Sequence, residues 1–294
     1  MFTLCFIMFS AIIPCYNRLG HLARVLAGFC AQGKDEIFEV ILIDNNGFEE
    51  NIDALYRRYV DKLPLTLLRQ PRLPHPRATA RARNLGLTLA RHDWIVSIDA
   101  DCIPPPEYLC RIREAIEQQA DDNILIVGLR RFVCGDELSE EELQQGCCDL
   151  SSLPCVSSPS NYGRTHDRRY PEIEAIAKSP HPWAFMHSGN LIYRRDMALK
   201  VGGFDEVFDG VWGYEDVDFA HRLIKSAGSK PFYLAGIECY HQDSQVAGTS
   251  TPLDSDERFN KVNNPNWARI CERILGFEQF KRDQYRRINP MVKL

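Results

Sequence analysis

The chain has 294 residues, of which 45% are hydrophobic and 26% charged, an ordinary globular composition that allows one large domain or two small ones. The net charge of -5 and the isoelectric point near 5.9 argue against a nucleic-acid-binding protein, because such a protein carries a basic footprint. The first thirteen residues are strongly apolar, but they lack a basic flank and are too short to span a membrane. They favour a buried first strand over a signal peptide. No later stretch is apolar enough to cross a bilayer, and the eleven cysteines are odd in number and scattered. We therefore expect a cytoplasmic protein, with peripheral attachment to a membrane left open.

The hydrophobic pattern predicts strands that alternate with helices along most of the chain. The predicted strands cover 5–13, 38–43, 65–68, 94–98, 123–130, 190–193 and 231–237. The predicted helices cover 17–32, 49–63, 77–90 and 104–119, begin again near residue 215, and resume past residue 254. This alternation indicates an α/β fold with a Rossmann-like, mixed but mostly parallel sheet and helices on both faces. A C-terminal helical extension follows it.

One predicted strand, WIVSI over 94–98, runs directly into Asp99 and Asp101 with one small residue between them. An unpaired buried carboxylate is costly, so two acids at the end of a core strand favour a positively charged partner. The usual partner is a hard divalent cation such as Mg²⁺ or Mn²⁺. Taken alone, an Asp-x-Asp triplet is more often a solvated turn, and the rest of the chain has to decide between the two.

Two further polar segments follow predicted strands, namely Pro14–Arg18 and Asp44. Ligands of parallel sheets bind beyond the carboxyl ends of the strands, so we expect three polar loops to meet at one edge. The first half has no Gly-x-Gly-x-x-Gly turn and no Gly-Lys-Ser/Thr loop. The absence of these motifs argues against a dinucleotide oxidoreductase and against a P-loop enzyme. A bound nucleotide would then need a metal at Asp101 and arginines to neutralise its phosphates. Four arginines lie close together in the sequence and are candidates for this role: Arg72, Arg77, Arg81 and Arg83. We expect two or three of them to be merely solvated.

The second half presents a glycine-rich turn in front of a helix, in the segment GVWGYEDVDF. Acids at a helix N-terminus are favoured by the helix dipole, and capping alone explains one of the two acids there. Gly189, just before a predicted strand, permits a close backbone approach to a ligand. Residues 134–179 show no sustained period and are predicted to be a lid or an acceptor-binding segment. Their four clustered cysteines leave a zinc site conceivable, although no Cys-x-x-Cys pair is present.

Eight motifs occur in the order found in family 2 glycosyltransferases of the GT-A fold: SAIIPCYNR, EVILIDNN, ARNLG, VSIDAD, NLIYRRD, GGFDE, WGYEDVDF and YHQ. The segment GGFDEVFDGVWGYEDVDFAHRL also resembles the C-terminal motif of the β-1,4-galactosyltransferases and of the polypeptide N-acetylgalactosaminyltransferases. The resemblance spans residues 10–243, about four-fifths of the chain. It implies a GT-A domain over 1–241, with a nucleotide-binding half at 1–101 and an acceptor-binding half at 102–241, and a mainly helical extension over 242–294.

The resemblance also implies a role for each site residue. The residues implied to contact base and ribose are Pro14, Tyr16, Asn17 and Arg18, with Asp44 on uracil and Arg83 on nucleotide or diphosphate. The residues implied on the donor side are Asp99, Ala100, Gly189 and Asn190. The implied metal site holds Mn²⁺ or Mg²⁺ through Asp101 and His241, with Asp99 beside them. Asp216 matches the catalytic base, Glu215 lies beside it on donor or acceptor hydroxyls, and Trp212 and Tyr214 wall the acceptor site.

The implied reaction is the transfer of a sugar from a UDP-sugar to an acceptor hydroxyl, metal-dependent and with inversion. The acceptor is a glycan, a lipid-linked sugar, a peptide or a small molecule. Two departures weaken the finer details: many relatives have Asp-Asp-Gly-Ser where this chain has Asp44-Asn45-Asn46-Gly47, and the frequent Gln-x-x-Arg-Trp motif is absent. The alternatives are a sugar-phosphate nucleotidyltransferase, which would need a glycine-rich loop after the first strand, and an inactive nucleotide-sugar-binding module.

Overall fold

The computed structural model describes residues 7–45, 51–71, 78–135, 138–156, 173–243 and 264–288. Its strands are β1 (Met8–Cys15), β2 (Ile37–Asp44), β3 (Leu65–Arg69), β4 (Trp94–Ile98), β5 (Cys102–Ile103), β6 (Ile124–Val127), β7 (Arg130–Cys134), β8 (Asn190–Arg194), β9 (Lys230–Tyr233) and β10 (Cys239–Asp243). Its α-helices are α1 (Leu19–Cys30), α2 (Ile52–Tyr59), α3 (Thr79–Leu89), α4 (Tyr108–Glu117), α5 (Glu140–Gln144), α6 (Arg195–Lys200), α7 (Glu215–Ser226), α8 (Pro265–Arg273) and α9 (Phe277–Ile288).

Seven strands form the main sheet in the order β3-β2-β1-β4-β8-β6-β9, and three form a small second sheet in the order β5-β10-β7. In the main sheet β8 runs antiparallel to both of its neighbours, β4 and β6, while the other neighbouring pairs are parallel. The predicted α/β class with a mixed, mostly parallel sheet is therefore confirmed. The start of β8 lies at the same edge as the ends of β1, β2 and β4, because Asn190 is paired with Ile98.

Alternate residues of the central strands enter two separate cores, since successive side chains of a strand point to opposite faces of the sheet. Trp94, Val96 and Ile98 of β4 face the core that α1, α2 and α4 cover. Ile95 faces the other core, which α3 and α7 cover together with the C-terminal helices. The C-terminal helices pack on this second core, because Ile270, Ile274 and Phe277 are all buried in it and Trp267 packs against it.

Three differences between the predicted and the observed elements bear on the site. The strand predicted over 123–130 is two strands, β6 and β7, which belong to different sheets. The predicted last strand over 231–237 is only β9, and the chain then forms β10, so His241 lies inside a strand. The helix predicted from residue 17 begins at Leu19, because the backbone of the two preceding residues is left-handed. Two strands that the prediction missed as separate elements, β7 and β10, are short and belong to the small sheet, where few apolar residues mark the pattern.

The segment predicted to be irregular, 134–179, contains α5 and short 3₁₀ turns at Leu150–Ser152 and Ile173–Lys178. Its residues 136–137 and 157–172 lie outside the described residues, so the predicted lid stays a prediction. Arg72 and Arg77 of the arginine run also lie outside them. Within the described ranges, no helix combines the length and the apolar character needed to cross a membrane.

Candidate active site

The predicted meeting of polar loops takes place at one edge of the main sheet. Cys15 at the end of β1 is paired with Asp44 at the end of β2, and β4 ends beside them, just before Asp99. Arg18, in the loop after β1, reaches across to Asp101 with 3.8 Å between its guanidinium and the carboxylate. Parallel strands end on the same side, which explains how residues distant in sequence come together here.

The small second sheet adds His241 to this edge. β10 runs antiparallel to β5 with His241 opposite Cys102, which places the His241 Nε2 atom 3.4 Å from the Asp101 Oδ2 atom. The ring of Phe132 packs against the imidazole with 4.9 Å between ring centroids. The backbone N–H of Gln242 donates to the carbonyl of Asp101 at 2.9 Å, so strand pairing itself fixes the distance between the two side chains.

Asp101, Cys102 and His241 form the one group of three potential metal ligands in the described ranges, with their ligand atoms within 4.8 Å of one another. Cys102 is fully buried, and this burial with the nearby Asp101 charge raises the pKa of its thiol well above the ordinary value. Of the three groups, the carboxylate and the imidazole are therefore better suited to a cation than the thiol. The buried Nδ1 of His241 has no hydrogen-bond partner among the described residues. A carboxylate and an imidazole form a donor set that fits a divalent cation.

The electrostatics of Asp101 agree with a ligand that stays ionised. Burial alone would raise the pKa of this carboxyl, but the positive charges of His241, Arg18, His21 and Arg130 hold the pKa below its ordinary value. Asp99, which the resemblance placed beside the metal, does not join this group. Its carboxylate accepts a hydrogen bond from Arg83 at 3.1 Å instead, on the other side of the site.

Arg83 of α3 is only 3% exposed and bridges two acids. One guanidinium nitrogen donates to Asp99 at 3.1 Å, and another donates to Glu215 at 2.9 Å. The ring of Phe204 lies beneath the guanidinium at 5.3 Å. The third guanidinium nitrogen of Arg83, Nε, is buried without a hydrogen-bond partner in the described part of the chain. Arg83 therefore connects Asp99, just after β4, to Glu215 of α7, and its predicted contact with nucleotide or diphosphate stays a prediction.

Glu215 and Asp216 open α7, and their surroundings disfavour ionisation. Burial and the adjacent Asp216 charge raise the pKa of Glu215 to about 7, against the opposing effect of Arg83. Burial also raises the pKa of Asp216, whose Oδ1 accepts a hydrogen bond from the N–H of Val217 at 2.8 Å. A carboxylate with a raised pKa in a half-buried site is suited to accept a proton.

Two of the predicted donor-side residues serve the protein's own packing. A side chain at Gly189 would meet the Asp99 carboxylate, because an added Cβ atom would lie 2.5 Å from Asp99 Oδ2. Asn190 is fully buried, accepts a hydrogen bond from Tyr108 Oη, and donates to the carbonyls of Leu129 and Ile237. The Asn190 side chain thus has three partners inside the protein, and its predicted contact with the donor stays a prediction. Ala100 is partly buried and packs against the first core.

Strained backbone occurs at this edge. Three described non-glycine residues have positive φ, namely Asn17 (53°), Arg18 (58°) and Tyr214 (73°), and all three belong to the predicted site. Such a conformation costs about 1–3 kcal/mol per residue and persists where the surroundings impose it, often at functional sites. Tyr16 and Trp212 are exposed, at 39% and 40%, as side chains available to a ligand would be. Tyr214 instead packs on Trp267 and Phe277.

The remaining predicted residues lie at the strand ends. Pro14 is the penultimate residue of β1. Asp44 is buried, and the Nε atom of Arg69 lies 3.6 Å from its Oδ2 atom. Sequence reasoning missed Arg69 and also Arg130, whose positive charge acts on both Asp101 and Asp216. Arg130 was hidden because it opens β7, whereas the predicted strand ended there. The four clustered cysteines, Cys134, Cys147, Cys148 and Cys155, are all described, and they form no metal-holding group.

Two sequence families match the chain. Glycosyl transferase family 2 matches residues 10–202, and the N-terminal domain of galactosyltransferase matches residues 173–242. Both resemblances predicted from the motifs are thereby confirmed. Among curated relatives, the chain is 30% identical to a hyaluronan synthase of Pasteurella multocida over 244 residues, covering 80% of this chain and 24% of the synthase. It is 27% identical to a validoxylamine A glucosyltransferase of Streptomyces hygroscopicus subsp. jinggangensis over 278 residues, covering 86% of this chain and 60% of that enzyme. The chain thus spans only part of these relatives.

Solved structures share the fold at low sequence identity. GalNAc-T7 with UDP, GalNAc and Mn²⁺ matches with a TM-score of 0.63 and 16% identity, covering 97% of this chain and 51% of that one. S. aureus TarS in complex with UDP-GlcNAc matches with a TM-score of 0.57 and 15% identity, covering 98% of this chain and 77% of that one. These structures confirm the predicted GT-A fold. Together with the sequence match over 10–202, they lead to one conclusion: the chain belongs to glycosyl transferase family 2.

Proposed function

We propose that the protein transfers a sugar from a UDP-sugar to an acceptor hydroxyl, with inversion at the anomeric carbon and with a bound divalent metal. The observation that carries the proposal is the arrangement of two differently tuned acid groups at one sheet edge. Asp101 with His241 suits a cation, while Asp216 beside Glu215 suits a proton. The nucleotide and metal named for the structural neighbours, UDP and Mn²⁺, agree with this donor chemistry.

Asp101 and His241 would hold the metal, which when bound supplies positive charge to the leaving diphosphate. Asp44 and the loop after β1 would receive the nucleoside, with exposed Tyr16 against the base. Asp216 would accept the proton of the attacking hydroxyl, and Arg83 would keep Glu215 and Asp99 in fixed positions beside it. A base on the face opposite the leaving group gives a single displacement, and therefore inversion. Trp212 would cover the acceptor.

The test is a donor panel in which UDP release is measured with Mn²⁺, with Mg²⁺ and with a chelator. The panel contains UDP-GlcNAc, UDP-GalNAc, UDP-glucose, UDP-galactose and UDP-glucuronate, with GDP-mannose as the nucleotide contrast. Short hyaluronan and chondroitin oligosaccharides serve as trial acceptors, because relatives are named as synthases of those polymers. We expect metal-dependent release from at least one UDP-sugar, and a product whose anomeric configuration, read by NMR, is opposite to that of the donor.

The same measurements, extended by a sugar phosphate and a nucleoside triphosphate, separate the alternatives. A nucleotidyltransferase would form pyrophosphate from these two substrates, and it would leave UDP-sugars intact. A binding module without activity would be stabilised by UDP with Mn²⁺ but would release no UDP from any donor. Either outcome contradicts the proposed transfer.

A further inference from the structure

The turn that precedes the two acids of α7 is held by the C-terminal helix α8. Asn266 of α8 is completely buried, and its Nδ2 lies 2.7 Å from the carbonyl oxygen of Phe208, 3.2 Å from that of Val211 and 3.1 Å from that of Gly213. Its Oδ1 accepts a hydrogen bond from Arg269, which orients the amide with its nitrogen toward the turn. One side chain thus meets three backbone carbonyls of the segment that leads to Glu215.

Asn264 completes the arrangement from the start of the same helix. Its Nδ2 donates to the carbonyl of Trp212 at 3.0 Å, while its Oδ1 accepts from the N–H of Asn266 and caps α8. The backbone of Trp212 is therefore fixed while its side chain stays 40% exposed. The aromatic rings of Trp267 and Phe277 pack on Tyr214, which lies two residues after Trp212.

The turn would not adopt this shape by its own preference. Gly210, Gly213 and Tyr214 all have positive φ, and for Tyr214 this conformation is intrinsically unfavourable. Converging carbonyl oxygens repel one another unless a donor lies between them, and buried acceptors without a donor are costly. An amide NH₂ group meets this need, whereas a carboxylate of the same shape would add a further negative oxygen.

We propose that Asn266, together with Asn264, is a positioning residue for the acceptor side of the site: it sets the placement of Trp212 and of the acids at the start of α7 without touching a substrate. This inference rests on the function proposed above. The donor side, at Asp101 and His241, is built from other elements and does not depend on α8. Loss of Asn266 should therefore impair transfer more than nucleotide binding.

The decisive variant is Asn266→Asp, which keeps the shape and replaces the donor by an acceptor. We expect UDP release from the best donor of the panel to fall about tenfold or more, because small misplacements near the reacting groups have large effects on rate. The affinity for UDP with Mn²⁺, measured by calorimetry, should stay within about twofold of wild type, because the donor side at Asp101 and His241 is unchanged. Asn264→Ser keeps a capping oxygen but loses the donor to Trp212, and we expect a smaller loss of the same kind.

The matched control is Asn123→Asp, in the loop before β6, where the side chain contacts the C-terminal end of α7 instead of its start. Asn123 donates to the carbonyl of Ala227 at 3.0 Å and accepts from Ser229, so the change inserts the same carboxylate away from the site. We expect this variant to lose thermal stability and keep its rate of UDP release. The inference is overturned if Asn266→Asp slows release no more than Asn123→Asp does, or if it weakens UDP binding in the same proportion.

Hydrogen exchange measured by mass spectrometry keeps the inference testable apart from turnover. In Asn266→Asp, faster exchange should be confined to peptides that cover residues 206–218, and in Asn123→Asp to those around the end of α7. Uniformly faster exchange across the molecule would contradict a positioning role. If wild type releases UDP from no donor, the proposed function fails, and the exchange pattern alone then decides whether Asn266 positions the turn.

Discussion

The surroundings of Asp101 stabilise a negative charge on its side chain, whereas those of Asp216 disfavour one. Around Asp101 positive groups outweigh burial and hold the pKa down, whereas around Asp216 burial outweighs Arg83 and the pKa is raised. Carboxylates whose pKa values are pushed apart by their environments take different chemical roles. The lower one remains an anion and suits a cation, and the higher one suits proton transfer. This contrast supports the different roles proposed for the two acids.

The residue whose change should separate binding from chemistry is Asp216. In Asp216→Asn the carboxylate is replaced by an amide that cannot take a proton, so we expect kcat to fall by about 10²–10⁴-fold. Affinity for UDP with Mn²⁺ should change little, because Asp101 and His241 are untouched. UDP release and calorimetry measure the two quantities. Turnover retained at more than about a tenth of wild type would show that another group accepts the proton.

The pH dependence of transfer should reflect Glu215. Its pKa is raised to about 7, so below that pH it becomes protonated and its ion pair with Arg83 weakens. Adjacent acids titrate as a pair, and we expect kcat/KM to fall as the pH drops below about 7. In Glu215→Gln this limb should disappear or move to lower pH. UDP affinity measured over the same pH range is the control, and a limb unchanged in the variant would contradict the assignment.

At the scale of elements, the strands with dense apolar sequence were predictable and the short polar ones were not. β4 is confirmed at its predicted bounds, Trp94–Ile98, because β-favouring residues fill both of its faces. β10, with the sequence CYHQD, lacks such a run, and its pairing with β5 and β7 depends on partners distant in the chain. The same limit applies to Arg83: the pattern predicts its helix, but only the packed structure shows that it joins α7 to the end of β4.

Three elements are tied together at the edge of the sheet opposite the site. Glu39 of β2 is buried and accepts hydrogen bonds from Ser10 of β1 at 2.7 Å and from the backbone and side chain of Arg91, just before β4, at 2.8 Å and 2.7 Å. Burial alone would raise the pKa of Glu39, but these donors together hold the pKa below its ordinary value. The ionised form is therefore the one that stabilises the fold.

Glu39→Gln should lower the free energy of unfolding at pH 7 by about 1.5–3 kcal/mol, the range for hydrogen bonds to charged groups. Because the folded pKa is depressed, this stabilisation is present above the unfolded pKa and is lost as the pH falls through the folded pKa. The difference in unfolding free energy between variant and wild type should thus be smaller at acid pH than at pH 7. Urea unfolding at pH 7 and at an acid pH measures this difference. Glu117→Gln, which removes an exposed partner of Arg113, is the control and should cost less than about 1 kcal/mol. An equal loss in both variants would contradict the role of Glu39.

Considered as a whole, the molecule places the two candidate metal ligands at the junction of its two sheets. Asp101 lies in the turn between β4 of the main sheet and β5 of the small sheet, and His241 belongs to β10, which pairs with β5. Gln242 fastens the join, since its side chain donates to the carbonyl of His21 at 3.0 Å and accepts from Arg24 of α1 at 3.1 Å. A cation held between Asp101 and His241 would therefore lie at the junction of the two sheets. Ligand binding at this join should stabilise the entire fold.

That consequence gives a measurement on the intact protein. With UDP and Mn²⁺ at about 100 times their dissociation constants, the free energy of unfolding should rise by about 2.7 kcal/mol, seen as an increase in Tm. A chelator should remove the metal-dependent part of the increase, and His241→Ala should lose most of it because one of the two ligands is gone. His181→Ala, which removes an imidazole packed on Phe280 away from the site, should lower Tm yet keep the full ligand-induced shift. A shift as large in His241→Ala as in wild type would mean that the cation binds elsewhere, and the proposed division between a metal-holding acid and a proton-accepting acid would then lose its physical basis.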